Sequence, residues 1–200
     1  DFYGLDVFLN DGSGHFTDAT KELVKKPHSF GMSHTMADYN RDGFTDLFML
    51  GMGSTTARRL EKMKAHPDIL TGAKTMRSIM GYGNRFYLGG EKGTLNEPDF
   101  IKQVARSGWA WGSTSFDFDN DGDQDLILTQ ATRILFHENA GNGTFPLRHT
   151  HESPSLLFSI NAVDYDGDGR LDLFASGYSG AGELRPEDIF ASPMPYHDAN

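Results

Sequence analysis

Short apolar runs alternate with glycine-rich polar turns along this chain, and their length favours strands over helices. The runs TDLFML (45–50), QDLILT (124–129) and LDLFAS (171–176) each complete or follow an acidic turn. Another short run of β-forming residues precedes each turn, as in SHTMADY and SINAVDY. Runs of this length, bounded by Gly, Asp and Asn, predict antiparallel β-hairpins in which the acidic segment is the turn.

A second kind of hairpin is predicted between the acidic turns. The phrases VFLNDGSGHFTDAT (7–20), FYLGGEKGTLNEPD (86–99) and LFHENAGNGTFPLR (135–148) each contain two strand-like runs around a glycine-marked turn. Two hairpins, and so four strands, recur over the 47 residues that separate Asp117 from Asp164. Four strands per roughly 40–50 residues is typical of a β-propeller blade.

We therefore predict an all-β fold, a β-propeller segment of four-stranded blades with one helical insertion. Residues 1–200 are expected to form a single propeller region within a larger ring, because a closed ring takes about four or more blades. The predicted divisions are a closing half-blade at 1–27, a blade at 28–105 with its insertion at 53–85, a blade at 106–150 and an opening half-blade at 151–200.

The insertion at 53–85 replaces the β pattern with helical spacing and a basic composition. Ala57, Leu60 and Met63 keep the spacing of one helix, and a second short helix is predicted at 76–80. We expect the insertion to pack its apolar side on a blade. The alternative is that its Lys and Arg residues dock a partner or an anionic glycan.

Three acidic turns share the pattern Asp-x-Asp/Asn-x-Asp-Gly-x-x-Asp and are named loop 1 (38–46), loop 2 (117–125) and loop 3 (164–172). Crowded carboxylates repel one another unless a cation lies among them. Alternate short side chains on a tight turn, with the backbone carbonyl of position 7, supply the roughly six to eight hard oxygens that Ca²⁺ prefers. Three Ca²⁺ sites are therefore predicted. Their candidate ligands are Asp38, Asn40, Asp42, Phe44 and Asp46; Asp117, Asp119, Asp121, Asp123 and Asp125; and Asp164, Asp166, Asp168, Arg170 and Asp172.

An EF-hand begins with the same pattern, and the sequence excludes it. It requires Glu at the twelfth position and flanking helices, whereas this chain has Met49, Leu128 or Ala175 there and strand-like flanks. One acidic turn alone would equally suit a solvated hairpin, since Asp, Asn and Gly favour turns. Three such turns in the same context favour metal binding. Because Asn40 makes loop 1 the least charged, we expect loop 1 to bind most weakly.

The net charge of the chain is concentrated in the acidic loops. Loops 1, 2 and 3 carry formal charges of −2, −5 and −3, which account for the whole formal charge of −10. Nucleic acid is therefore not an expected partner. The sequence has no cysteine, which excludes disulfides and thiolate metal sites, and no apolar run approaches the ~18–20 residues that span a bilayer.

The repeated loops, each followed by a strand, resemble the FG-GAP/VCBS repeats that build integrin-α-type β-propellers. FLNDGSGHFTDAT and GWAWGSTSFDFDNDGDQDL are similar to bacterial exported proteins of the ASPIC/UnbV-associated group and to cartilage-acidic-type proteins. The resemblance implies calcium at the rim of each blade. It also implies an extracellular, cell-surface or periplasmic location and a role in recognition, adhesion or scaffolding. A protein or glycan ligand would then bind at the loop face.

Two alternatives stay open at this point: the propeller domain of a carbohydrate- or lipid-cleaving enzyme, and a polymeric surface or matrix component that self-assembles. A cavity that gathers His, Arg or Tyr away from the loops would discriminate the enzyme. We assign no catalytic and no organic cofactor-binding residue. The segment GYSGA (177–181) ends in Ala where a nucleophile elbow has Gly.

Two further groups of side chains have simple structural explanations. Trp109 and Trp111 alternate on a predicted strand, and packing between blades is favoured over a sugar-stacking platform. His149, His151 and Glu152 resemble part of a transition-metal site. Without a convincing further ligand, they are expected to be residues of a turn.

Overall fold

The computed structural model describes residues 4–63 and 79–178. Within them the fold is mostly β and antiparallel, in agreement with the predicted class. The strands are β1 (Phe8–Asn10), β2 (Phe16–Asp18), β3 (Gly31–Ala37), β4 (Asp46–Gly51), β5 (Arg85–Gly89), β6 (Leu95–Asn96), β7 (Ala110–Phe116), β8 (Asp125–Gln130), β9 (Arg133–His137), β10 (Leu147–Glu152), β11 (Leu156–Val163) and β12 (Asp172–Tyr178). The helices are α1 (Thr20–Leu23), α2 (Thr55–Lys62) and α3 (Ile101–Val104), and one 3₁₀ turn covers Glu91–Gly93.

Two four-stranded sheets form the centre of the described structure. Their orders are β3-β4-β5-β6 and β7-β8-β9-β10, so that every strand pairs with its neighbour in sequence. The hairpins β1–β2 and β11–β12 form separate two-stranded sheets. A four-stranded meander is the unit from which propeller blades are built. The closed ring and the exact blade divisions stay predictions.

Each acidic loop is the turn of a hairpin between the first two strands of its sheet. The hairpins are closed by the same kind of pair, in which the residue before position 1 lies opposite the Asp of position 9: Ala37 with Asp46, Phe116 with Asp125, and Val163 with Asp172. Each hairpin also has a register shift near its far end, between Gly31 and Ser33, between Ala110 and Ser113, and between Leu157 and Ser159. The three hairpins are therefore structural repeats.

The second strand of each four-stranded sheet is buried on both faces. On β4, Leu47 and Met49 pack in a cluster toward α1, while Phe48 and Leu50 pack in a second cluster shared with β8. β8 alternates in the same way, with Ile127 facing a third cluster that includes residues of β11. Burial on both faces explains why these strands are almost continuously apolar in sequence instead of alternating with polar residues.

Aromatic packing links adjacent sheets. The ring of Trp111 on β7 meets the ring of Phe158 on β11 edge to face, with centroids 5.2 Å apart. This contact agrees with the expected packing between repeats. His149 and His151 lie on β10, and the prediction that they belong to a turn was wrong. The ladder to β9 continues as far as the pair between Glu152 and Arg133, which keeps both histidines in the strand.

The first predicted helix of the insertion is α2, in which Ala57 is buried. The second, predicted at 76–80, lies mostly outside the described residues, as do residues 179–200 and most of GYSGA. Among the described residues, no helix has the length and apolarity needed to cross a lipid bilayer.

Candidate metal centres

The Asp at position 1 folds each loop by accepting backbone hydrogen bonds from positions 5 and 6, and Asp164 of loop 3 also accepts one from Gly167, at 2.8 Å. In loop 1, the two carboxylate oxygens of Asp38 accept the N–H groups of Asp42, at 3.1 Å, and Gly43, at 2.8 Å. Equivalent bonds recur in the other loops. They join Asp117 to the N–H groups of Asp121 and Gly122 at 3.1 and 2.9 Å, and Asp164 to those of Asp168 and Gly169 at 3.1 and 3.0 Å.

Two positions in every loop adopt positive φ. Glycine at position 6 permits the sharp turn, and Gly43, Gly122 and Gly169 have φ values of 86°, 90° and 86°. Position 4 is also left-handed and was not anticipated from the sequence. It is occupied by Arg41, Asn120 and Gly167, with φ values of 57°, 61° and 74°. A left-handed backbone conformation is strained for Arg but not for Gly. Of the three loops, only loop 3 therefore has the least strained residue, Gly167, at position 4.

The fold brings carboxylates from positions 1, 3 and 9 together. One oxygen from each of Asp117, Asp119 and Asp125 lies within 4.8 Å of the others, and the same holds for Asp164, Asp166 and Asp172. Ca²⁺–oxygen distances are about 2.3–2.6 Å, so two ligands on opposite sides of one ion lie about 5 Å apart. Each trio is therefore compact enough to contact a single Ca²⁺.

Loop 1 has the same backbone but a different donor set. Asn40 accepts the N–H of Asp42 at 3.1 Å, and its amide donates to the Asp42 carboxylate at 2.9 Å. An amide oxygen is a hard ligand but carries no charge. Loop 1 therefore has one carboxylate fewer than the trios of loops 2 and 3.

The predicted ligands at positions 5 and 7 do not belong to the compact groups formed by positions 1, 3 and 9. The carboxylates of Asp121 and Asp168 lie outside the two compact groups. At position 5, the carboxylate accepts the N–H of position 7 in every loop, in the pairs Asp42–Phe44 at 2.9 Å, Asp121–Asp123 at 2.8 Å and Asp168–Arg170 at 2.8 Å. The carboxylate of Asp168 also pairs with the Arg170 guanidinium. Coordination by position 5 and by the carbonyls of position 7 stays a prediction.

In the two central sheets, the Asp of position 9 connects its loop to the end of the third strand. Asp46 accepts the N–H groups of Tyr39, at 2.9 Å, and Gly89, at 2.8 Å. Asp125 accepts those of Phe118, at 3.0 Å, and Asn139, at 2.7 Å. Both carboxylates are fully buried. Each of these residues therefore holds two segments of its sheet together besides facing the loop.

Burial changes the acidity of these two carboxyl groups. Desolvation is the largest effect on Asp125 and raises its pKa to about 6, against the opposing hydrogen bonds from Asn139 and Phe118. The nearby charges of Asp119 and Asp121 act in the same direction as desolvation. The pKa of Asp46 is also raised, again chiefly by burial. A cation bound among the carboxylates would offset this penalty.

Asn139 joins loop 1 to loop 2, and sequence reasoning did not identify it. Its side-chain amide donates to the carbonyl of Tyr39 at 2.8 Å and to the carbonyl of Gln124 at 3.2 Å. Asn139 is almost fully buried. The available signal was the position of an Asn at the end of the strand-like run LFHEN, within the repeated second hairpin.

A charged contact also joins the two loops. The Arg41 guanidinium lies 2.5 Å from the Asp123 carboxylate and donates to the carbonyl of Asp121 at 3.2 Å. Arg41 is the strained residue at position 4 of loop 1, and Asp121 and Asp123 belong to loop 2. Loops 1 and 2 therefore form a connected pair within the described residues.

All three loops lie in segments that match a known family. The sequence matches the family described as FG-GAP-like repeat over residues 1–49 and 117–175, more than half of the chain. It is 26% identical over 201 residues to cartilage acidic protein 1 of Mus musculus and 26% identical over 201 residues to that of Homo sapiens. Each alignment covers 92% of this chain, and the chain spans 26% of the length of each relative.

Proposed function

Because the chain belongs to the FG-GAP-like repeat family, we propose that loops 1, 2 and 3 bind Ca²⁺ and stabilise an extracellular β-propeller. The single observation that carries this proposal is the convergence of three carboxylates, within 4.8 Å of one another, in loops 2 and 3. Asp117, Asp119 and Asp125 would hold one ion, and Asp164, Asp166 and Asp172 another. Asp38, Asn40 and Asp46 would provide the corresponding set in loop 1.

The chemistry of these donors favours Ca²⁺ over Mg²⁺. Carboxylate, amide and backbone carbonyl oxygens are available on one turn, in the number that a flexible coordination shell of about six to eight ligands requires. Mg²⁺ demands a stricter octahedral shell and keeps more water. Three Ca²⁺ ions would reduce the formal charge of −10 to −4 and would replace repulsion among the carboxylates by attraction.

A structural role for calcium follows from the position of the loops. Each loop closes the hairpin between the first two strands of a sheet, so that an ion there would fix both strands to each other. Since the unfolded chain cannot preorganise the ligands, the binding free energy would contribute to folding. A dissociation constant of about 10⁻⁴–10⁻³ M is sufficient for extracellular modules.

Exposed aromatic residues on the outer hairpins support a larger ring. Phe16 on β2 is 65% exposed, and Tyr165, in the loop between β11 and β12, is 77% exposed. Phe8 and Phe174 are also exposed on these hairpins. In the proposed propeller, neighbouring blades of a longer protein would cover part of this apolar surface. A protein or glycan ligand would bind at the face that carries the loops.

Thermal unfolding in calcium and in EDTA tests the proposal. Ca²⁺ at about 100 times its dissociation constant would stabilise the protein by about 2.7 kcal/mol per site, and we expect each occupied site to raise the melting temperature by about 5–10 °C. The same concentration of MgCl₂ should give a smaller increase. The variant Asp99→Asn, at an exposed acid outside the loops, serves as the matched control and should keep the full response. An identical melting temperature in calcium and EDTA would contradict the proposal.

A further inference from the structure

A cavity of about 600 Å³ lies apart from the acidic loops. It is bordered by residues that follow α1, by the start of β5 and by α3. Its volume is within the range of about 300–1,000 Å³ that is typical of small-molecule sites. The side chains that concern its chemistry are Lys25, Lys26, Tyr82, Arg85, Glu97 and Lys102.

The described lining of the cavity is positively charged, although the whole chain is acidic. Four cationic side chains line it, and Glu97 is the one acidic residue among its described lining. Glu97 is already engaged by two of these cations, since it lies 2.9 Å from Lys26 and also pairs with Arg85. Within residues 4–63 and 79–178, Lys25 and Lys102 form no ion pair. The cavity therefore has cationic groups that no carboxylate among the described residues neutralises.

Arg85 is a buried and rigidly held cation in the wall of this cavity. It is 4% exposed, and one terminal nitrogen donates to the carbonyls of His28, at 3.3 Å, and Ile79, at 3.2 Å. Its Nε is buried and has no hydrogen-bond partner among the described residues. Its two terminal nitrogens are engaged by Glu97 and by these carbonyls, so Arg85 contributes fixed positive charge to the cavity wall.

An aromatic ring lies beside this cation. The Arg85 guanidinium is 4.5 Å from the centroid of the Tyr82 ring, and the Arg106 guanidinium lies 5.5 Å from it. Ile79 and Ile101 add apolar surface to the same cavity. The lining therefore suits a ligand that combines an anionic group with an apolar ring.

We propose that this cavity binds a small organic anion, a carboxylate or sulfate ester or sulfonate attached to a ring. Lys25 and Lys102 bind the anionic group, Arg85 adds fixed positive charge beside it, and Tyr82 contacts the ring. This inference is independent of calcium and concerns a different surface of the protein.

The test titrates the protein with benzoate, benzenesulfonate, glucuronate and inorganic sulfate, in calcium and in EDTA, by calorimetry and amide NMR shifts. We expect at least one of the three ring-bearing anions to bind, with shifts at Tyr82 and Arg85, and inorganic sulfate to bind more weakly. The double variant Lys25→Gln/Lys102→Gln should weaken binding about tenfold, since the lost attraction of two charges is about 1.4 kcal/mol. Lys92→Gln, at an exposed turn residue, is the matched control and should bind as the unmodified protein does.

Several results would overturn the inference. They are the absence of binding by every ring-bearing anion, equal binding of inorganic sulfate, or an equal loss in Lys25→Gln/Lys102→Gln and Lys92→Gln. Both lysines are exposed, so their replacement should leave the unfolding transition unchanged. As a second variant, Tyr82→Leu should weaken binding of benzoate and leave sulfate unaffected. Calcium binding by the loops would be unchanged in all of these variants, which separates this test from that of the metal sites.

Discussion

Loops 2 and 3 have the same local structure but different surroundings. In both, the Asp of position 1 accepts the N–H groups of positions 5 and 6, and three carboxylates converge. Asp125 of loop 2 is fully buried and accepts two backbone hydrogen bonds, one of them from Asn139 beyond β9. Asp172 of loop 3 is exposed and, within the described residues, accepts one, from Tyr165 at 3.0 Å.

This difference in burial shows that the same sequence pattern can have two structural roles. Nine residues are enough to build the turn and to place its carboxylates, because the bonds that shape it are local. The burial of position 9 depends on a neighbouring sheet and on the end of the third strand. The same Asp is therefore a candidate ligand in loop 3 and both a candidate ligand and a structural connection in loop 2.

The largest effect is expected from removing the Asp of position 9. In EDTA, where no ion contributes to either loop, Asp125→Ala should lower the free energy of unfolding by about 3 kcal/mol, because two buried N–H groups lose their acceptor. Asp172→Ala should cost about 1 kcal/mol, since the group it leaves unpaired is solvated. Urea unfolding of both variants measures the difference. Equal losses would show that position 9 has the same role in both loops.

Asn139 provides a second way to weaken the connection in loop 2 without altering a candidate ligand. Asn139→Ala removes the bonds to the carbonyls of Tyr39 and Gln124, and should cost about 2 kcal/mol. Asn142→Ala, at an exposed turn residue of the same second hairpin, is the control and should cost much less. A loss confined to calcium-containing buffer would contradict a structural role for Asn139, which does not depend on the ion.

Proton competition should distinguish the two loops. The pKa of Asp125 is raised to about 6, so that below this pH a growing fraction of the metal-free loop carries a proton that Ca²⁺ must displace. The apparent calcium affinity of loop 2 should fall about tenfold per pH unit below about pH 6. Loop 3, whose Asp172 remains solvated, should lose less affinity. The amide signals of Gly122 and Gly169 report the two loops separately, and parallel loss in both would contradict the expectation.

The smallest effect is expected from the contact between loops 1 and 2. Arg41→Gln removes the pair with Asp123 and should cost less than about 1 kcal/mol, because the Arg41 side chain is 55% exposed and solvent screens the pair. It should nevertheless shift the amide signal of Gly122. Arg170→Gln removes a pair within loop 3 and is the control, since it should leave Gly122 unchanged. No shift at Gly122 in Arg41→Gln would mean that the two loops are independent.

The local features of the hairpins were predictable from sequence. The acidic turns, their flanking strands and the second hairpins follow from short repeated patterns, and the convergence of positions 1, 3 and 9 follows from the turn itself. The roles of Asn139 and of left-handed position 4 were not predictable. Asn139 contacts Tyr39 across 100 residues of sequence, and Arg41 occupies a conformation that the sequence does not indicate.

The cavity around Arg85 was hidden from sequence for a related reason. Lys25, Tyr82 and Lys102 are far apart in the chain and come together only because α1, β5 and α3 border one space. The sequence shows that the insertion is rich in Lys and Arg. It does not show that Arg85 is buried while other basic residues are exposed to solvent. The cavity is formed by tertiary packing, whereas the conformation of each loop is determined by local hydrogen bonds.

A crystal structure grown in calcium tests the central claim most directly. We expect three spherical density peaks with an anomalous signal, one in each loop, with oxygens of positions 1, 3 and 9 at about 2.3–2.6 Å and about seven oxygens in all. Peaks in loops 2 and 3 should be at least as strong as the peak in loop 1. Loops that contain only water at saturating calcium would contradict the account.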